Sequence, residues 1–111
     1  MDTPSPTLPT LVLWRTDGCG LCRETRHLLG LIMAERAAAG LSVPAVVERD
    51  LAEDPTAQRA FLELIPVLEL RGRRLELALR PEPIRDFLAE ALDGAEPRGR
   101  AGSGAGVELR P

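Results

Sequence analysis

Cys19 and Cys22 are the only two cysteines in a chain of 111 residues, and only Gly20 and Leu21 separate them. Residues three apart lie on one face of a helix's first turn, so the two sulfurs can reach disulfide geometry without backbone movement. A cysteine at the mouth of a helix meets unpaired backbone N–H groups and the positive end of the helix dipole, and both favour a thiolate over a thiol. The difference matters: a thiol of pKa about 8.5 is a few per cent ionised at neutral pH, and one near about 7 is about half ionised. The spacing therefore makes Cys19 the expected nucleophile and Cys22, one turn deeper, the thiol that resolves a mixed disulfide. Arg15 adds favourable charge close to Cys19, and Asp17, two residues away, opposes it.

Two plainer roles for the pair compete with redox work. A bridge that only staples the chain closes so short a loop that it removes about 2 kcal/mol of chain entropy, against about 4.7 for a hundred-residue loop. Metal binding through Cys19, Cys22 and His27 meets a geometric obstacle. On a helix, His27 lies about 140° around from Cys22 and about 12 Å along the axis from Cys19. A tetrahedral site would need ligands from a second chain, and His27 reads as an ordinary solvated helix residue.

Composition narrows the classes. Two Phe, one Trp and no Tyr leave the core to Leu, Val, Ile and Ala and provide no aromatic platform for stacking bases. The net charge of -3 and the lack of a basic stripe also argue against a nucleic-acid partner. All fourteen basic residues are Arg and none is Lys, a bias to which no function is assigned. The first ten residues have no positive n-region, Leu11–Trp14 is too short for a signal-peptide core, and no segment approaches membrane-spanning length. A cytoplasmic location is expected, with no membrane partner. In a reducing compartment, paired cysteines do redox or metal chemistry more often than structural bridging.

The elements that must position the pair can be read from periodicity. Residues 1–9 are Pro/Thr/Ser-rich and read as a flexible arm. Leu11–Trp14 is a short apolar run closed by Arg15-Thr16-Asp17-Gly18, as a buried strand with a turn after it. From Cys19 onward, Leu21, Thr25, Leu28, Leu29, Ile32 and Met33 recur at helical spacing, with Arg23, Glu24, Arg26, Glu35 and Arg36 on the other face and Gly40 as the stop. Val43–Val47 predicts a second strand, parallel to the first, that Glu48-Arg49-Asp50 carries out to solvent. Asp54-Pro55 caps a second helix bearing Ala57, Ala60, Phe61 and Leu64, which ends before Pro66. Alternation over Val67–Leu70 and Leu75–Leu79 around Arg71-Gly72-Arg73 predicts an antiparallel hairpin. Pro81 opens a last helix with Ile84, Phe87, Leu88, Ala91 and Leu92 on one face and Gly94 as its stop. Residues 95–111 are too poor in apolar residues to pack and read as a disordered Gly/Pro-rich tail.

The resulting order, β-α-β-α-β-β-α, with CGLC at the first strand–helix junction, resembles glutaredoxins, in particular the small bacterial glutaredoxin-like proteins of the thioredoxin superfamily. Four stretches carry the resemblance: LVLWRTDGCGLC, VVERDLAEDP, IPVLEL with Gly72 behind it, and PEPIRDFLAEAL. It spans about residues 10 to 94 and implies an α/β, thioredoxin-like domain over 10–94, with a central four-stranded mixed sheet flanked by helices. It further implies that Cys19 and Cys22 are catalytic, that Pro66 is cis and faces the pair, and that the backbone of Ile65 holds the substrate chain by strand-like hydrogen bonds. Read without the resemblance, Pro66 is a strand-initiating proline with a trans bond. Arg15 joins Ile65 and Pro66 as an expected substrate-binding residue.

The expected activity is thiol–disulfide exchange in cell redox homeostasis, by a monomer without a bound cofactor, acting on protein or small-molecule disulfides. Glutathione and the thioredoxin system are the candidate electron donors. Two departures leave glutathione use open. Leu21 stands where the family has an aromatic residue, and Ala78-Leu79-Arg80-Pro81-Glu82-Pro83 stands where it has a Gly-Gly and polar pair that hold a carboxylate. Arg80 is then the side chain there that could bind one. Two alternatives stay open: a non-catalytic module gripping a partner chain between Ile65-Pro66 and the first helix, and a dimer sharing zinc or an iron–sulfur cluster through the cysteines.

Overall fold

The computed structural model describes residues 9–94; the expected arm (all but Pro9) and the expected tail lie outside the described residues. Strand β1 (Thr10–Arg15) leads into helix α1 (Gly20–Ala38), which returns through strand β2 (Ala45–Asp50). A one-turn 3-10 segment, Leu51–Glu53, precedes helix α2 (Pro55–Phe61). Strands β3 (Val67–Leu70) and β4 (Arg73–Leu75) form a hairpin, and helix α3 (Pro81–Leu88) continues into a π-helical turn, Ala89–Asp93. The sheet order is β2-β1-β3-β4, with β2 parallel to β1 and the other neighbours antiparallel. This mixed sheet with its helices is compatible with the thioredoxin-like fold.

Alternation along β1 sorts the core into two layers. Leu11 and Leu13 face one way and pack with Leu29 and Ile32 of α1, Leu68 and Leu70 of β3, and Ile84, Phe87 and Leu88 of α3. Trp14 faces the other way, with Leu51, Ala57, Phe61 and Val67, so α2 covers the opposite face. A strand buried on both sides needs an unbroken apolar run, and Leu11-Val12-Leu13-Trp14 supplies it. Each such buried side chain contributes about 1.5–3 kcal/mol through burial. The buried Trp14 keeps its polar edge satisfied: its indole N–H donates to Glu69 Oε1 at 2.9 Å.

The helix ends follow their local sequence. Asp54 Oδ1 accepts from the Ala57 N–H at 3.0 Å, with Pro55 at the first position of α2. At the end of α1, Gly40 takes φ +74, its N–H donates to Ala37 O at 3.1 Å, and the Leu41 N–H donates to Arg36 O at 2.9 Å. That paired return of hydrogen bonds is the glycine-terminated stop expected at this position.

Four expectations change. Strand β2 runs over Ala45–Asp50 rather than 43–47, because Pro44 has no N–H to give to a ladder. Being at the sheet edge, β2 leaves Val46 and Val47 substantially exposed. The second hairpin arm is Arg73–Leu75 rather than 75–79. Arg71 and Gly72 both have positive φ, 53° and 77°, so the reversal takes two residues and the return strand starts at Arg73. Leu77, at φ 51°, then turns the chain off the sheet, and the N–H groups of Leu77 and Ala78 donate to Leu64 O and Pro66 O at 2.8 and 2.9 Å. Arg36, expected in solvent, is 6 % exposed. Its Nη2 donates to Asp93 Oδ1 and its Nε to Ser42 O, both at 2.6 Å, so α1 is pinned to the end of α3. Leu21, expected on the apolar face, is 52 % exposed, because Cys22 and Thr25 take the buried face of the first turns of α1 and leave Leu21 beside it.

Candidate functional site

The turn Thr16-Asp17-Gly18 carries the chain from β1 into α1, with Gly18 at φ +80° and the Cys19 N–H donating to Thr16 O at 3.3 Å. Cys19 then stands at the N-cap of α1 in extended backbone, φ −87° and ψ 99°. Its sulfur accepts the Cys22 N–H at 3.1 Å, the place that a Ser, Thr or Asp oxygen fills in an ordinary cap. Cys19 and Cys22 are joined in a disulfide with Cα atoms 5.3 Å apart, inside the usual span for such a bond. Cys19 is partly exposed and Cys22 is 2 % exposed, so an incoming molecule meets the Cys19 sulfur first.

A cavity of about 250 Å³ opens beside the pair, lined by both cysteines together with Arg15, Asp17, Arg23, Arg26 and Glu48 among others. Arg15 is held from three sides. Its Nε donates to Glu48 Oε1 at 3.1 Å, its Nη1 to Asp17 Oδ1 at 3.2 Å, and Asp50 Oδ2 lies 3.7 Å from Nη1. Burial pulls the Arg15 pKa down, but the hydrogen bonds to Glu48 and Asp17 and the charges of Asp50 and Glu48 together outweigh it and hold the pKa above its ordinary value, so the guanidinium stays charged. Arg26 also reaches Glu48, at 3.4 Å.

In the sequence Glu48 and Asp50 mark only the solvated end of a strand, yet in the fold they fix Arg15. The signal lay in the topology: a parallel βαβ unit sets Leu13 against Glu48 and Arg15 against Asp50, which brings the polar end of β2 beside the end of β1.

Ile65 and Pro66 lie at the same end of the sheet. Val67 pairs with Trp14, so the residues just before β3 and just after β1 leave the sheet together. The Ile65–Pro66 bond is cis, and Pro66 is buried. Neither residue lines the cavity that holds Cys19, Cys22 and Arg15. A hydrogen-bonded path links Pro66 to α1 instead: Ala78 N–H donates to Pro66 O, and Thr25 Oγ1, one turn beyond Cys22, donates to Ala78 O at 2.5 Å.

The amides of residues 77–79 are all engaged inside the chain, Leu79 N–H donating to Leu77 O at 2.8 Å. They leave no backbone nest for a ligand carboxylate at these residues. Arg80 stands at the N-cap of α3, in extended backbone, and is exposed. His27 is exposed and does not line the cavity, and among the described residues no three His, Cys, Asp or Glu side chains gather to hold a metal ion. Among the same residues no helix is long and apolar enough to cross a membrane. No protein-family model matches the chain, and no curated protein matches it either.

Proposed function

We propose that the chain is a thiol–disulfide oxidoreductase, similar to glutaredoxins, that uses Cys19 as nucleophile and Cys22 as resolving thiol. One observation carries the reading: the two sulfurs are bonded at the mouth of α1, where the Cys22 N–H donates to Cys19 Sγ. The same amide, with the helix dipole behind it, stabilises a Cys19 thiolate once the bridge is reduced. The burial of Cys22 keeps the second thiol from competing for substrate.

In the reduced protein the Cys19 thiolate attacks one sulfur of a substrate disulfide. A Cys19–substrate disulfide forms, the substrate's S–S bond breaks, and one thiolate departs and takes up a proton. Cys22 then loses its proton to solvent and attacks Cys19 Sγ, expelling the second substrate thiolate and restoring the Cys19–Cys22 bond. Two electrons pass from protein to substrate. Two thiols from a donor, glutathione or a thioredoxin-system protein, return them by the reverse exchange. The protein acts in this reading as a cytoplasmic monomer in redox homeostasis, with no resident cofactor, and Ile65, Pro66 and Arg15 border the bound substrate.

The test is reduction of a disulfide substrate by the wild-type protein and by Cys19→Ser and Cys22→Ser. The reading requires turnover by the wild type, none by Cys19→Ser, and a trapped mixed disulfide with Cys22→Ser. A partner chain captured equally well after both cysteines are replaced, with no turnover by the wild type, would instead select a non-catalytic binding module. Stoichiometric metal after anaerobic purification would select the shared-cluster dimer.

A further inference from the structure

We propose that Arg23 selects disulfides carrying a carboxylate close to sulfur, by drawing that carboxylate into the cavity beside Cys19. The inference rests on the oxidoreductase reading and names its substrate class. Arg23 stands four residues after Cys19 on α1, so the two share a helix face about one turn apart. Its backbone is fixed there, the Arg23 N–H donating to Cys19 O at 3.3 Å, and its exposed side chain lines the same cavity as both cysteines.

The other guanidiniums of that cavity are already committed. Arg15 is bound to Glu48 and Asp17 with Asp50 nearby, and Arg26 to Glu48. Among the described residues Arg23 has no carboxylate partner. A solvated guanidinium with five donors in a planar fork and no internal acceptor matches an incoming carboxylate. Asp17, with a side chain 94 % exposed at the rim of the cavity, adds a charge that repels the same group.

The test uses the full chain, fully reduced, in single turnovers with three small disulfides of similar size: dithiodiglycolate (anionic), hydroxyethyl disulfide (neutral) and cystamine (cationic). In each turnover the protein loses two electrons and forms its Cys19–Cys22 bond, and the disulfide yields two thiols. Any change in Cys19 nucleophilicity scales all three rates together, so the ratio of variant to wild-type rate, compared across the three, reports recognition alone.

Arg23→Gln should lower the rate for dithiodiglycolate about threefold relative to hydroxyethyl disulfide, and Arg23→Glu about tenfold, with cystamine favoured instead. Asp17→Asn should shift the ratios the opposite way. Arg59→Glu, a charge reversal on α2 away from the cavity, should leave them as in the wild type. The discrimination should fade in about 1 M salt, where the Debye length is about 3 Å. Equal ratios for wild type and Arg23→Glu overturn the role of Arg23 while leaving the oxidoreductase reading intact. Failure of the wild type to reduce hydroxyethyl disulfide overturns both.

Discussion

Thr25 Oγ1 donates a 2.5 Å hydrogen bond to the carbonyl of Ala78, whose own N–H donates to Pro66 O at 2.9 Å. One buried hydroxyl thereby fastens the helix that carries the cysteines to the segment that carries Pro66. Replacing Thr25 by Val keeps the shape and removes the donor, leaving a buried carbonyl unsatisfied. The expected loss is about 1–3 kcal/mol, read by urea denaturation, with Thr25→Ser closer to wild type. Equal midpoints for Val and Thr would show that the bond contributes nothing.

Cys19 doubles as a helix cap, which separates its structural role from its chemical one. Measured against the reduced wild type, Cys19→Ser should fold at least as stably, because a hydroxyl oxygen accepts the Cys22 N–H as well as sulfur does. Cys19→Ala should lose about 0.5–2 kcal/mol. Both should be inactive in disulfide reduction, so thermal unfolding of the pair distinguishes the cap from the nucleophile.

Arg36 and Asp93 form a largely buried ion pair, with side chains 7 % and 26 % exposed. Asp93→Ala strands a buried guanidinium and should destabilise by about 2–3 kcal/mol, between the exposed and the fully buried cases. Arg36→Met with Asp93→Leu should recover most of that loss, since an apolar pair leaves no charge buried. Chemical denaturation of the single and double variants checks the non-additivity.

Arg85 grips Glu35 through both carboxylate oxygens, Nε to Oε1 at 3.0 Å and Nη2 to Oε2 at 2.9 Å. That hydrogen bond, opposed by a smaller effect of burial, holds the Glu35 carboxyl below its ordinary 4.5. A carboxyl with a lower pKa folded than unfolded contributes stability above the unfolded value and loses it as pH falls through the folded one. Arg85→Gln should therefore raise the Glu35 pKa toward 4.5 in an NMR titration. The stability gap to wild type should be small, as for exposed pairs, and should close as the solution is acidified.

The sequence by itself determined whatever depends on neighbours along the chain. The CxxC at a strand–helix junction, the two-faced burial of Leu11–Trp14, the Asp54-Pro55 cap and the Gly40 stop are set by spacing and by backbone chemistry within a few residues. Tertiary structure alone decided the rest, because those features depend on which distant groups meet. Arg36 is buried because Ser42 O and Asp93, brought in by the loop after α1 and the end of α3, satisfy a charge that helical periodicity assigns to solvent. Strand β4 stops at Leu75 because the amides after it find the carbonyls of Leu64 and Pro66 rather than a ladder. Glu48 reaches the cavity beside Cys19, where it holds Arg15, through the parallel register of β2 on β1. Hydrogen bonds and ion pairs between residues far apart in sequence leave no local period, and only the packed chain reveals them.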